Sequence, residues 1–179
     1  MTEPAIVVEV PRSSSGRDDD FRPPAEEGVT WGGQADRFLR FVEIEAIPSV
    51  DEAFRTERNR ILVGHSLGGL FALYALAEHP QLFDAYFAFS PSVWVGGEVI
   101  IPMLERSLQR TPSGETFLFV SVGAQEGNEM ISGFNAVRET LEAHAPAGLR
   151  WRTEVTFGAD HGSNPVLSYP VAASKYWRP

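Results

Sequence analysis

"ILVGHSLGGLFALYALAEHP", residues 61–80, decides the fold. A short strand-like apolar run reaches a glycine, a serine stands two places on, and a second glycine precedes a long apolar stretch. Gly64, Ser66 and Gly68 thus form G-x-S-x-G, the nucleophile elbow when it joins a strand to a helix. The reason is steric. To lift a hydroxyl clear of the carboxyl edge of a parallel sheet, the chain must turn sharply and hold the serine in a strained conformation. A side chain at Gly64 or Gly68 is expected to collide with the adjoining strand or helix. The same turn aims the Leu67 backbone N–H, at the helix start, toward a substrate carbonyl oxygen. Developing negative charge there meets a fixed donor and the positive helix end. The pattern alone also occurs as a glycine-rich turn with a bystander serine; its flanking elements give it weight.

Working outward, the spacing predicts a strand at Arg60–Val63 and a helix from Ser66 to Glu78, stopped by His79–Pro80. "AIVVEV" (5–10) reads as a buried strand, and residues 11–34 as a long loop in which Asp18–Asp20 form a solvated face. A loop of that length in a compact domain tends to be functional or disordered. A helix begins at Ala35, with Phe38, Leu39, Val42 and Ala46 on one face, and Pro48 interrupts it. "AYFAFS" (85–90) and "TFLFVSVG" (116–123) are two further buried strands. Met130–Ala143 carries Ile131, Phe134, Val137 and Leu141 at helical spacing. "WRTEVTFG" (151–158) alternates as a strand, and Pro165–Tyr176 is helical, with Pro170 kinking or starting it. Strand and helix in repeated alternation predict one α/β domain over residues 1–179. Its architecture is a three-layer α/β/α sandwich with a mainly parallel sheet.

Composition narrows the partners. An apolar share of 43 % and a charged share of 22 % over 179 residues are ordinary globular values. A net charge of −9 argues against nucleic acid, which calls for clustered Lys and Arg. The chain has no run of about 18 apolar residues, so no membrane span is expected. "MTEPAIVVEVPRSSS" lacks a basic n-region and a long apolar h-region, so no secretory signal shows. The absence of cysteine removes disulfides, thiolate chemistry and Cys-ligated metal, a pattern compatible with the cytoplasm.

A serine hydroxyl needs a base, and this fold supplies triad members in the order Ser, then Asp or Glu, then His. His65 lies inside the elbow and is expected to point away from the Ser66 hydroxyl. His79 and His144 each follow a helix, where a polar or cationic cap accounts for them. His161, in "FGADHGSNP", sits just past the last strand beside a glycine, where the base belongs. The acid is expected past "TFLFVSVG", in "AQEGNEM". Glu126 is the choice; Glu129 falls in the next helix's first turn, where a carboxylate often serves the helix dipole. Asp160 is adjacent to His161, so its side chain diverges from the imidazole. The rival account of Glu126 is a solvated loop carboxylate.

Several blocks in order make the chain resemble the "putative esterase" branch of the α/β-hydrolases, the group with siderophore (enterochelin-type) esterases and related carboxylesterases. These are "GRDDDFRPP", "GGQADRFLRFVEIEAIPSVDEAFRT", "RILVGHSLGGLFALYAL", "FAFSPSVWV" and "FGADHGSNP". The resemblance implies Ser66 as nucleophile and His161 as base, with Glu126 at the acid position, where members vary. It implies that Ser90, Ser92 and Trp94 border the cleft; core packing is the rival account of Trp94. A second tryptophan common in the family is replaced here by Val95. By the family's spacing, "AIVVEV" corresponds to the fourth strand. The strands before it, and the loop that commonly gives a second oxyanion donor, are then expected to be missing.

The expected activity is hydrolysis of a small-molecule carboxylic ester through an acyl-enzyme, with no metal or organic cofactor. Acyl transfer on the same residues and a catalytically silent domain are the alternatives. The charge of −9 does not advertise the basic cleft that a large siderophore trilactone would call for.

Overall fold

A computed structural model of the protein describes residues 5–10, 16–24, 32–110 and 115–177. Four strands, β1 (Ile61–His65), β2 (Ala85–Phe89), β3 (Thr116–Gly123) and β4 (Leu149–Thr156), form one sheet in the order β1-β2-β3-β4. Every pair is parallel, with Ile61 opposite Ala85, Ala85 opposite Phe117, and Thr116 opposite Leu149. A parallel step requires a crossover, and here each crossover is a helix: α4 (Leu67–Glu78), α5 (Ile100–Leu108) and α6 (Asn128–His144). Crossovers are right-handed and the strand order advances in one direction, so all three helices fall on one face. Leu70, Leu73, Ile100, Leu104, Phe134 and Val137 accordingly share a core with Tyr86, Ala88, Leu118 and Val120 of the sheet. α5 is not among the elements that the sequence pattern predicts.

The other face is covered by α7 (Asn164–Trp177), which follows β4. Strand side chains alternate, so Ala85, Phe87, Phe89, Phe117 and Phe119 point to this side, where Ala172 joins them. Phe87 is the hub. Its ring packs against Phe89, Phe117 and Phe119 within the sheet and against Tyr169 and Tyr176 of α7, at centroid separations of 6.1–6.3 Å. Pro170 lies inside α7 rather than at its start.

Four expectations about the first third of the chain are corrected. Residues 5–10 form no strand: Ile6, Val7 and Val8 are 51 %, 88 % and 46 % exposed. A β-branched run becomes a strand only when a neighbour completes its ladder, and β1 pairs with β2 alone among the described residues. The stretch expected to be loop contains a short helix, α1 (Arg17–Phe21), and the rest of that stretch lies partly outside the described residues. Its acidic run is not a wholly solvated face, because Asp20 is buried. Pro48 does not interrupt the helix that begins at Ala35. α2 (Ala35–Phe41) passes through a π-helical turn, Val42–Ala46, directly into α3 (Ile47–Ala53), with Pro48 in the first turn of α3. The Ile47 N–H reaches back to Val42, so the ladder is already re-registered where the proline nitrogen lacks a proton.

The β1–α4 turn separates the two glycines that the sequence treats alike. A β-carbon on Gly64 would stand inside the Gly68 carbonyl group, whereas one on Gly68 meets nothing within 4 Å outside its own helix. Space is therefore demanded at Gly64, and Gly68 contributes only its backbone. Gly64→Ala is expected to give insoluble or strongly destabilised protein, while Gly68→Ala folds with a melting temperature close to that of the parent; thermal denaturation compares the two. Phe87→Ala is expected to cost about 3–5 kcal/mol in urea denaturation, from lost transfer energy and the cavity left between sheet and α7.

Candidate active site

In a parallel sheet all strands end on one edge, and the loops after β1, β2, β3 and β4 meet there. Ser66 follows β1 with φ 61° and ψ −119°, an unfavourable backbone conformation for a residue with a β-carbon. Two backbone bonds hold it: Ser66 N–H donates to the Phe89 carbonyl (3.0 Å), and Ser92 N–H donates to the Ser66 carbonyl (3.1 Å). The elbow is thus fastened to the end of β2 on both sides of the serine. Leu67 opens α4, so its N–H has no intrahelical acceptor and belongs to the positive helix end.

Glu126 lies in the turn after β3, and its side chain is wholly buried. Its Oε1 accepts from Gly123 N–H and from the Ser90 hydroxyl, both at 2.6 Å. Its Oε2 lies 2.7 Å from His161 Nδ1, on the loop after β4. A buried carboxylate with three donors is a satisfied anion rather than a solvated loop group. The His161 side chain is 45 % exposed, so the ring is anchored by one nitrogen and open on the solvent side. Ser66 Oγ sits 3.2 Å from Ser92 Oγ, and among the described residues no hydrogen bond joins Ser66 to His161. Such contacts are commonly loose without substrate.

The remaining sequence candidates are placed as follows. Ser92 is buried beside the Ser66 hydroxyl, and Trp94 is 48 % exposed on the same loop. Ser90 is fully buried under Glu126 instead of bordering the cleft, with a positive φ of 45°. Glu129 is exposed in the first turn of α6. Asp160 accepts from the Ser163 hydroxyl and N–H, and these bonds hold its carboxyl below the ordinary carboxylate range. His79 lies 3.3 Å from Glu43 at the end of α4, and His144 ends α6. His65, expected only to point away from the Ser66 hydroxyl, has a contact that the elbow motif does not reveal. Its Nε2 lies 2.8 Å from the His161 carbonyl oxygen, which can only accept, so His65 carries the proton on that nitrogen. The two rings stand 4.5 Å apart. Strand alternation was the available signal: His65 shares the face of Ile61, where the loop after β4 arrives. Among the described residues, no cluster of three or more His, Asp or Glu side chains is spaced to hold a metal ion. No described helix is long and apolar enough to cross a membrane.

The family model "Putative esterase" matches residues 1–146. The chain is 34 % identical to the ferri-bacillibactin esterase BesA of Bacillus subtilis, over 98 % of this chain and 66 % of that protein. It is 44 % identical to the siderophore triacetylfusarinine C esterase of Aspergillus fumigatus over 44 % of this chain and 27 % of that one. Among solved structures, the BES protein from Bacillus cereus superposes with a TM-score of 0.81 at 28 % identity, covering 93 % of this chain and 67 % of that chain. The siderophore hydrolase EstA from Aspergillus nidulans gives 0.72 at 29 %, covering 91 % and 67 %. This chain therefore spans two thirds or less of the length of the curated relatives described. With the four-stranded parallel sheet and its elbow, these matches carry one conclusion: the chain belongs to the putative esterase family, on the α/β-hydrolase fold.

Proposed function

We propose that the chain is built for hydrolysis of a carboxylic ester by a Ser66–His161–Glu126 triad. The observation that carries this reading is the 2.7 Å bond between His161 Nδ1 and the buried Glu126, on the sheet edge that also bears the strained Ser66. A carboxylate at Nδ1 fixes the tautomer whose Nε2 is unprotonated and able to accept a proton. Rotation of Ser66 about χ1 exchanges the Ser92 hydroxyl for the imidazole when substrate enters. Ser66 Oγ then attacks the ester carbonyl as its proton passes to His161 Nε2. The resulting oxyanion is met by the Leu67 N–H at the positive end of α4. Collapse expels the alcohol, which takes the proton from His161, and leaves an acyl-Ser66 that water releases by the reverse sequence.

Relatives named as a siderophore esterase, a siderophore hydrolase and a ferri-bacillibactin esterase support a siderophore ester as the substrate class for this chain. The half-exposed Trp94, beyond Ser92 on the β2 loop, offers an aromatic wall to the acyl or aryl part of such a substrate.

A fluorophosphonate probe is expected to label the protein at Ser66, and Ser66→Ala to abolish both labelling and turnover of a short-chain aryl ester. The loss of kcat for such a nucleophile is about 10⁶-fold. Labelling that survives the substitution would refute the assignment. Glu126→Gln keeps the shape but fixes the wrong imidazole tautomer, so kcat is expected to fall about 10⁴-fold with KM nearly unchanged. Product analysis by mass spectrometry with an added alcohol acceptor distinguishes hydrolysis from acyl transfer.

A further inference from the structure

A second chain of hydrogen bonds lies beneath the triad. Asn164, the first residue of α7, is wholly buried. Its side-chain NH₂ donates to Ser90 Oγ at 2.8 Å and to Ser121 Oγ at 3.1 Å. Its Oδ1 accepts from the Ser168 hydroxyl at 2.8 Å, and Ser168 Oγ lies 2.6 Å from the Thr156 hydroxyl. Ser90 in turn donates to Glu126 Oε1. A continuous path therefore runs from Thr156 through Ser168, Asn164 and Ser90 to Glu126, and on to His161.

The proton positions along this path follow from the chemistry of its groups. An ionised carboxylate only accepts, so the single Ser90 hydroxyl proton lies on the Ser90–Glu126 contact. Ser90 Oγ must then accept from Asn164, which turns the amide nitrogen toward Ser90 and the amide oxygen toward Ser168. Ser168 spends its one proton on that oxygen, so Thr156 is the donor in the last pair. Each hydroxyl between Thr156 and Glu126 thus donates its one proton toward the carboxylate end of the path. Were the amide reversed, its oxygen would compete with Glu126 for the Ser90 proton, and the carboxylate would lose one of its three donors.

We propose that Asn164 is a positioning residue: its amide commits the Ser90 hydroxyl to Glu126 and so holds the carboxylate in the orientation that His161 needs. This rests on the triad reading above and deepens it. The device ties the acid to α7, the helix on the opposite face from the one that carries the elbow. It also accounts for the left-handed φ of Ser90, since that backbone twist aims the hydroxyl at the acid while its N–H stays bonded to the Ser121 carbonyl at 2.7 Å.

The test compares Asn164→Ala, Asn164→Asp, Ser90→Ala and Ser121→Ala, with circular dichroism to check folding. Two readouts are taken. One is kcat and KM for an aryl ester; the other is the low-field proton resonance of His161 Nδ1–H in the full chain without substrate. Removing the donor is expected to lower kcat about 10- to 100-fold, the range for a hydrogen bond to a charged group, with KM unchanged. Asn164→Ala and Ser90→Ala are expected to weaken or abolish the resonance together with kcat. Asn164→Asp, which presents an oxygen to Ser90, is expected to do at least the same. Ser121→Ala removes only the side branch and retains both signals.

A folded Asn164→Ala protein with parental kcat and resonance overturns the proposal. If that variant fails to fold, Asn164→Asp and Ser90→Ala decide, and parental values in either overturn it. If the parent hydrolyses no ester, the proposed activity fails, and the resonance in the same variants still decides the role of Asn164.

Discussion

Gly64 faces the Gly68 carbonyl at a distance that no β-carbon permits, and this contact sets the angle at which β1 enters α4. The angle leaves Ser66 in an unfavourable backbone region, a state that persists only when its surroundings over-determine it. They do so here through the bonds from Ser66 to Phe89 and from Ser92 to Ser66. Those bonds exist because β2 lies next to β1 in register, with His65 opposite Phe89. The pairing of two strands and the pose of one serine are thus a single structural fact.

The acid and the base of the proposed triad are set by different means. Glu126 is tied down by donors on three sides and has no exposed side-chain surface, whereas His161 keeps one side open to solvent. On the proposed reading this order is physically sensible: the carboxylate is immobilised, and the ring proposed to exchange protons with substrate retains freedom. His65 adds a grip on the backbone of His161, so the loop after β4 is fastened both by its side chain and by its carbonyl.

Much of this was legible in the sequence because it depends on short-range pattern. The runs at 85–90 and 116–123 are apolar throughout, as strands buried on both faces must be, and β2 and β3 coincide with them to within a residue. The elbow and the histidine loop carry their geometry in a few adjacent residues. Other features depend on neighbours that pattern does not reveal. "AIVVEV" has strand composition yet pairs with none of the four strands. Pro48 looks like a breaker until a π turn shifts the ladder ahead of it. Ser90 reads as a cleft serine, and only the β2–β3 register, which puts it against the Ser121 carbonyl, buries it under the acid. Asn164 lies in the histidine-loop block with no role that pattern reveals, because two of its partners, Ser90 and Ser121, come from other segments.

The terminal position of β1 in the sheet has a bearing on colloidal behaviour. Its outward amide and carbonyl groups meet no fifth strand among the described residues, and Val63 beside them is 47 % exposed. A strand edge without a paired neighbour among the described residues is the kind that templates self-association. Mutual repulsion between copies bearing a charge of −9 opposes it, and added electrolyte shortens the range of that repulsion. Raising the ionic strength is then expected to favour contact between copies along this flank.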